Sequence, residues 1–163
     1  MSDIPPALKH LTVWLLVATG LFLGVRAWQA ERQRSLFTVD GGVIELKRGR
    51  DGHFHWPGRV NGLAVDFLVD TGATRSALPQ ALAERAGLVF EGRTQSATAG
   101  GVAQGWTARA DVQLDGGVRV ERLPVTVLPA LSAPLLGMDV LSRMRFTQES
   151  GVLRFEPMAS PPR

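Results

Sequence analysis

Short runs of alternating apolar and polar residues, separated by turn-forming residues, extend over most of the chain. Runs of about four to eight such residues bounded by Gly, Asn or Asp are typical of β-strands, and Asn61-Gly62 is a strong hairpin signal. Pro57-Gly58 interrupts one run and therefore predicts a bent strand or an edge strand. The pattern predicts strands at residues 43–47, 53–60, 63–69, 76–78, 89–98, 106–114, 118–128, 145–149 and 152–155.

After the N-terminal region, two segments have helical features. Residues 79–87 begin with Pro and end with Gly, which suits a short helix, and residues 138–144 suit a helical turn. Many short strands with one or two short helices indicate an all-β fold, either a small closed β-barrel or a sandwich.

The N-terminal region has a different pattern, because residues 11–25 carry no charge. A membrane-spanning helix needs about 20 apolar residues. The run approaches this length when it is extended to Trp28 and Arg26 reaches back to the interface. Trp14 and Trp28, near its two ends, are typical of interfacial anchors. We therefore predict a transmembrane helix at residues 11–28.

Two other interpretations of this run are open. A cleaved secretory signal requires a small-x-small site after the apolar run, and no clear site follows it. A buried core helix is the other alternative, and it is less favoured because this run is apolar all round. We favour an uncleaved anchor, which gives a stub at residues 1–10, the anchor at 11–28, a polar linker at 29–35, one β domain at 36–157 and a disordered tail at 158–163.

Composition excludes several classes of chemistry. The chain has no Cys, so disulfides, thiol nucleophiles and Cys-based zinc sites are impossible. The formal net charge is +3, and Lys and Arg are scattered. A small basic cluster at residues 47–50 falls in a predicted turn and is interpreted as a solvated face. Nucleic-acid binding would need a broader basic stripe with aromatic residues, so we expect no nucleic-acid partner.

One carboxylate stands out, because Asp70 ends an apolar strand and Thr71, Gly72 and Ala73 follow it at once. A carboxylic acid at the end of a buried strand is partly shielded from water, and such positions are where acid–base groups are tuned. A second apolar strand end, Leu135-Leu136-Gly137, precedes the helical turn near the other end of the chain.

Taken in order, these motifs make residues 36–157 resemble the retropepsin-like aspartic proteases, and more narrowly their bacterial membrane-anchored members with a single short lobe. The resemblance covers about three-quarters of the chain. Its matching features are the Asn61-Gly62 turn, residues 67–74, the helix ending at Gly87-Leu88, the tip at residues 98–101, and residues 135–141.

The resemblance implies a small closed β-barrel of the retropepsin-like acid protease type. It also implies an aspartic endopeptidase that acts on protein or peptide substrates without a metal or organic cofactor. Asp70 would be the catalytic acid and base. Amide hydrolysis needs one ionised carboxyl to activate water and one protonated carboxyl to polarise the carbonyl. The chain contains a single Asp-Thr-Gly, so the second carboxyl must come from another copy. A homodimer with a two-fold axis between the two Asp70 residues is therefore expected.

The same resemblance implies roles for the neighbouring residues. Thr71 would bond across the two-fold axis, and Gly72 would allow a tight turn and offer its N–H to the carboxylate. Ala73 completes the turn, and Leu135, Leu136 and Gly137 would support it from beneath. A flap made of Thr98, Ala99, Gly100 and Gly101 would close over the substrate.

Other interpretations remain for the whole and for its parts. The fold could serve as a non-catalytic peptide-binding or assembly module, and Gly100-Gly101 could be a plain hairpin turn. His53 and His55 could form a metal pair, but they lack a third ligand and are interpreted as surface residues. Asp66 is interpreted as solvent-facing.

Two further residues and the orientation were also considered. Asp139 is interpreted as a helix N-terminal charge or a salt-bridge partner, and Trp106 as either flap-base packing or core. A count of flanking positive charges slightly favours a cytoplasmic C-terminal domain. Bacterial single-span proteins with short N-terminal stubs often have the opposite orientation. We therefore expect a single-pass inner-membrane protein with a periplasmic catalytic domain.

Overall fold

The computed structural model describes residues 6–34, 37–40, 42–98 and 101–156. The chain divides into two compact units, Met1–Ser35 and Leu36–Arg163. The predicted tail at residues 158–163 and the first five residues of the predicted stub lie outside the described residues.

The first unit consists of one helix, α1 (Pro6–Arg34). It includes the predicted anchor and continues through residues 29–34, which their polar composition predicts as a linker. Gln, Ala, Glu and Arg are strong helix formers, so this segment extends the helix. Within the described part of the chain, no helix is both long enough and apolar enough to cross a membrane. The large apolar side chains of α1 are exposed, among them Trp14, Leu15, Leu16, Leu21, Phe22 and Leu23.

The second unit is mostly β-structure, as the sequence predicts. Its elements are β1 (Phe37–Asp40), β2 (Val43–Lys47), β3 (His55–Val60), β4 (Leu63–Val69), β5 (Ala77–Pro79), α2 (Gln80–Arg85), β6 (Phe90–Thr98), β7 (Gly101–Leu114), β8 (Arg119–Leu128), β9 (Leu135–Leu136), α3 (Met138–Leu141), β10 (Arg145–Glu149) and β11 (Val152–Glu156).

These strands form two sheets. The four-stranded sheet has the order β1-β2-β11-β10 and is antiparallel throughout. The seven-stranded sheet has the order β3-β4-β9-β5-β8-β7-β6. Strand β9 pairs in parallel with β4 and antiparallel with β5, so it lies between them. This short strand joins the two halves of the large sheet and continues directly into α3.

The prediction of an edge position for β3 is wrong over its second half. Gly58, Arg59 and Val60 pair with β4 on one side and with β7 on the other. A Cβ on Gly58 would lie 2.5 Å from the carbonyl oxygen of Gln113. The glycine therefore permits the close approach of β7. At the Pro-Gly pair, β3 gains a second neighbouring strand instead of ending.

The core lies between the two sheets and under the two short helices. Trp56 of β3 and Phe155 of β11 belong to different sheets, and their ring centroids are 4.5 Å apart. The indole N–H of Trp56 donates a hydrogen bond to the carbonyl oxygen of Asp115. Buried aromatic rings contribute large apolar areas. This contact therefore fastens the small sheet to β3. A hairpin joins β3 to β4, and β4 ends just before Asp70.

Candidate active site

Asp70 lies at the end of a strand that the core holds firmly. Phe67 is fully buried, and β4 pairs with β9 through Leu68↔Leu135 and Val69↔Leu136. The Asp70 N–H donates to the carbonyl oxygen of Leu136 at 3.0 Å. The ladder between the two strands therefore continues up to the carboxylate residue itself.

The four residues after the strand form a hydrogen-bonded turn. The Ala73 N–H donates to the carbonyl oxygen of Asp70 at 3.2 Å. The Gly72 N–H donates to Asp70 Oδ1 at 2.9 Å. Thr71 and Gly72 are exposed, and Asp70 is half-buried. The turn thus orients one carboxylate oxygen by a backbone donor and keeps the whole group accessible from outside the core.

The second predicted motif lies directly against this turn. Leu136 is fully buried, and the Met138 N–H donates to the carbonyl oxygen of Ala73 at 2.8 Å. A Cβ added to Gly137 would lie 2.6 Å from the carbonyl carbon of Arg75 and 2.9 Å from the carbonyl oxygen of Ala73. Glycine is needed here because the two backbones touch. The structure therefore brings the two motifs together.

A polar connection behind the turn was not identified from the sequence. The Ser76 hydroxyl donates to Asp139 Oδ1 at 2.7 Å, and the Ser76 N–H donates to Asp139 Oδ2 at 3.0 Å. The Gly137 N–H donates to Ser76 Oγ at 3.0 Å. Asp139 does lie in the first turn of α3, but its carboxylate bonds Ser76 instead of a cation. The sequence contains one signal for this connection. Ser76 precedes the apolar pair Ala77-Leu78, and a buried Ser needs a hydrogen-bond partner.

The predicted flap is part of a long β-hairpin made by β6 and β7. Thr98 pairs with Gly101 across its tip, and Ala99 and Gly100 lie outside the described residues. Near the base of the hairpin, the ring of Trp106 stacks on Phe90 with centroids 5.5 Å apart. Trp106 is half-buried and packs against the core, so it serves the hairpin base and the core together.

The two histidines do not belong to a group of three or more metal-ligating side chains among the described residues. His55 Nε2 lies 2.7 Å from Asp51 Oδ2, and His55 Nδ1 lies 3.1 Å from Asp66 Oδ2. His53 is exposed, and its backbone N–H donates to Asp51 Oδ1. Both ring nitrogens of His55 therefore face carboxylates, and this ring connects the turn before β3 to β4.

The interpretation of Asp66 as solvent-facing is wrong for one of its oxygens. Oδ1 of Asp66 is inaccessible to solvent and has no hydrogen-bond partner among the described residues. Burial raises the pKa of Asp66 above its ordinary value, and the nearby His55 opposes this effect. The hydrogen bond from His55 lowers the pKa of the exposed Asp51. The hairpin between β3 and β4 places Asp66 opposite Pro57, and there the sheet shields it from water.

Asp66→Asn is expected to raise the melting temperature at neutral pH but not in acid. A raised folded-state pKa means that folding favours protonated Asp66. The contribution of Asp66 is fully present below its ordinary pKa of 3.8 and is lost as the pH rises through its folded-state pKa. Asn stays neutral and keeps an oxygen that can accept from His55. Thermal unfolding at about pH 3 and pH 7 measures the difference.

The matched control for this prediction is Asp115→Asn, which removes a carboxylate from an exposed turn. We expect little change in its melting temperature at either pH. If Asp66→Asn lowers the melting temperature at pH 7, the ion pair with His55 outweighs the cost of burial, and the prediction is wrong.

Comparison with known proteins identifies the class of this protein as an aspartic-type endopeptidase. Residues 56–143 match the sequence model of the family described as "gag-polyprotein putative aspartyl protease". The match covers more than half of the chain, and the chain belongs to this family. All of β3 except His55, the turn at residues 70–76 (hereafter the acidic turn), the flap hairpin and α3 fall within the matched range.

Two solved structures show the same fold. A retropepsin-like aspartic protease from Rickettsia conorii is 29% identical, with a TM-score of 0.57, over 73% of this chain and 92% of that one. EIAV protease, solved with the inhibitor HBY-793, is 20% identical, with a TM-score of 0.51, over 58% of this chain and 89% of that one. No curated protein matches the sequence. The resemblance to retropepsin-like aspartic proteases is thereby confirmed.

Proposed function

We propose that this protein is a membrane-anchored, homodimeric aspartic endopeptidase whose catalytic groups are Asp70 and the partner's Asp70. The observation that carries the proposal is the accessible Asp-Thr-Gly turn, which supplies one carboxylate per chain at the end of a braced strand. A second Asp-Thr-Gly does not occur in the sequence. Two-fold symmetry is the simplest way to pair this carboxylate with another.

The chemistry of the proposed pair is general acid–base catalysis. Two carboxyl groups about 3 Å apart cannot both be ionised cheaply, so they share one proton. The ionised group takes a proton from water, which attacks the peptide carbonyl carbon, while the protonated group donates to the carbonyl oxygen. The resulting tetrahedral diol collapses when the carboxyl that took the water proton gives it to the amide nitrogen, the C–N bond breaks, and one diol hydroxyl gives its proton to the other carboxylate as the C=O bond re-forms. Both carboxyl groups then return to the shared-proton state.

The neighbouring residues have supporting roles in this proposal. Thr71 is exposed beside the carboxylate and would bond across the two-fold axis to the other turn. The Gly72 N–H, which already reaches Asp70 Oδ1, would hold that oxygen in the plane of the pair. The flap at residues 98–101 would cover the substrate and exclude water. Leu135, Leu136 and Gly137 would keep the turn in position.

We also infer that the large sheet closes into the small barrel that the sequence predicts. Strand β3 pairs with β4 through its whole length and with β7 through residues 58–60, which supports closure. The flap strand β6 pairs with β7 alone among the strands of this sheet, so it extends beyond the closed part. A closed sheet would hold the acidic turn rigidly at one end of the barrel.

The activity is expected to depend on concentration in a way that reveals the dimer. If each site needs two chains, the cleavage rate rises with the square of protein concentration below the dimer dissociation constant and linearly above it. Cleavage of an unfolded protein by the full-length chain in mild detergent, over a wide dilution series, measures this. A covalently tandem pair of chains is the control and should stay linear. A single chain that remains linear down to concentrations where sedimentation shows only monomer would exclude the shared site.

We propose that α1 attaches the enzyme to a membrane, as a single-pass anchor with the protease domain in the bacterial periplasm. The support is the uncharged run at residues 11–25 and the exposure of its apolar side chains. We expect the full-length chain to stay with membranes after carbonate extraction, and a variant with Leu15, Leu16 and Leu21 changed to Ser to be released. Protease added to spheroplasts should digest the C-terminal domain. Protection of that domain would reverse the orientation.

A further inference from the structure

We infer that Asp139 and Ser76 form a positioning pair that holds the acidic turn in its working geometry. Among the described residues, the side chains of Asp139 and Ser76 bond each other and not the Asp70 carboxylate. The inference rests on the proposed function, because it assigns these residues a role in the reaction of Asp70. It goes beyond that function in naming a group behind the turn on which the rate depends.

Hydrogen bonds fasten the acidic turn at both of its ends. The acidic turn leaves β4 at Asp70 and re-enters the sheet at Ser76, just before β5. At the first end, the Asp70 N–H is bonded to Leu136. At the second end, the N–H and the hydroxyl of Ser76 both donate to the carboxylate of Asp139. Both ends of the turn are therefore fastened to the same short segment, residues 136–139.

The Ser76 hydroxyl both donates and accepts a hydrogen bond. It donates to Asp139 Oδ1 and accepts from the Gly137 N–H. Ser76 is only 1% exposed, so water cannot replace these partners. A buried polar group that loses its partner carries the full cost of desolvation. The pair therefore strongly favours one placement of residues 73–76 against α3.

The packing around Gly137 leaves little freedom for another arrangement of the acidic turn. Gly137 touches the backbone of Ala73 and Arg75, and the Met138 N–H is bonded to Ala73. Asp139 follows these two residues at the start of α3. A shift of its carboxylate would move Ser76, and the turn between Ser76 and Asp70 would move with it. Catalytic rates are sensitive to displacements of about 1 Å.

The acid, and not only its shape, matters in this pair. Two donors of Ser76 point at the two oxygens of Asp139, and an ionised carboxylate accepts on both. Asn has one acceptor oxygen, and its NH2 group would face one of the two donors. With the amide oxygen on the Ser76 N–H, the hydroxyl could only accept from the NH2 group, so Asp139→Asn should lose the hydrogen bond that the hydroxyl donates. Asp139→Ala loses both.

The test compares these variants with two controls in the full-length dimer. Asp115→Asn removes a carboxylate from an exposed turn, and Ser142→Ala removes an exposed hydroxyl that follows α3 and donates to Met138 O. Ser76→Ala serves as a second probe of the pair. For each protein we would measure kcat, KM, the melting temperature, the Gly72 amide chemical shift and the exchange rates of the Ser76 and Gly137 amides.

We expect kcat to fall by about 10- to 100-fold in Asp139→Ala, with KM within about twofold of wild type. Asp139→Asn should lose about fivefold, which is the effect of one buried hydrogen bond. The Gly72 amide signal should shift in both, because its bond to Asp70 Oδ1 depends on the turn. The two controls should match wild type in kcat and in the Gly72 signal.

Two results would overturn the inference. In the first, Asp139→Ala and Asp139→Asn lower the melting temperature but keep kcat at temperatures where they are fully folded. In the second, the Ser76 amide exchanges as slowly in Asp139→Ala as in wild type. The exchange rates and the Gly72 signal need no cleavage assay. An inert wild-type protein would therefore contradict the proposed function, while these two measurements would still decide whether the pair holds the turn.

Discussion

Replacing Asp70 with Asn is expected to abolish peptide-bond cleavage and to leave the fold and the dimer intact. The carbonyl oxygen of Asn can still accept the hydrogen bond that the Gly72 N–H donates to Asp70 Oδ1. Asn cannot ionise or share a proton with its symmetry mate, so no group remains to take a proton from water. General acid–base catalysis contributes about 10²- to 10⁴-fold. We therefore expect a loss of at least about 1,000-fold in kcat.

The measurement is cleavage of an unfolded protein between about pH 4 and 7, with sedimentation of the same samples. Asp115→Asn is the control for the loss of a carboxylate at an exposed turn and should keep full activity. Residual cleavage by Asp70→Asn within tenfold of wild type would place the catalytic acid elsewhere. A wild-type dimer that binds extended peptides but never cleaves them would instead favour a peptide-binding module on this fold.

The second large effect is expected from Gly137→Ala. The backbone of Gly137, with φ −96° and ψ −177°, is accessible to any residue. The cost is therefore one of space. The added methyl would lie 2.6 Å from the Arg75 carbonyl carbon, 2.8 Å from the Arg75 oxygen and 2.9 Å from the Ala73 oxygen. All three atoms are backbone, and the turn can accommodate the methyl only by moving. We expect a loss of about 3 kcal/mol in unfolding free energy.

Activity should fall further than stability, because the atoms that must move belong to the acidic turn. We expect kcat to drop by about 100-fold even where Gly137→Ala is fully folded. Chemical denaturation and cleavage assays on the same preparation separate the two effects. Gly92→Ala is the matched control, since its nearest non-neighbouring atom is Thr107 Oγ1 at 3.7 Å. Equal behaviour of the two variants would show that the turn and the Gly137 segment are not in rigid contact.

Most of the strands and both short helices of the β domain could be predicted from local pattern. The hairpin at Asn61-Gly62 joins β3 and β4 as predicted, and Asn61 has the positive φ that such a turn requires. The helix predicted at residues 79–87 is present as α2. These features depend on residues close together in the chain, so alternation, turn residues and caps are enough to find them.

The pairings between distant segments could not be predicted from pattern. Alternation shows which face of a strand is buried but does not name its neighbour. The crossing of β3 by β7 depends on Gly58, which in isolation reads as a strand breaker. Strand β1 was missed as a separate element because its alternation extends over only four residues, which is the lower limit for a strand signal. The bond between Ser76 and Asp139 joins residues 63 positions apart, and the periodicity of neither segment contains it.

The small sheet has a consequence for how the polypeptide matures. Strand β2 lies beside β11, and Lys47 is paired with Val152 more than a hundred residues later. Contacts between remote positions form slowly, because the intervening loop must close first. A nascent chain on the ribosome therefore carries the apolar face of β2 uncovered until synthesis has passed β11. Chaperone capture during translation should accordingly concentrate on residues 43–47 and end when β11 emerges.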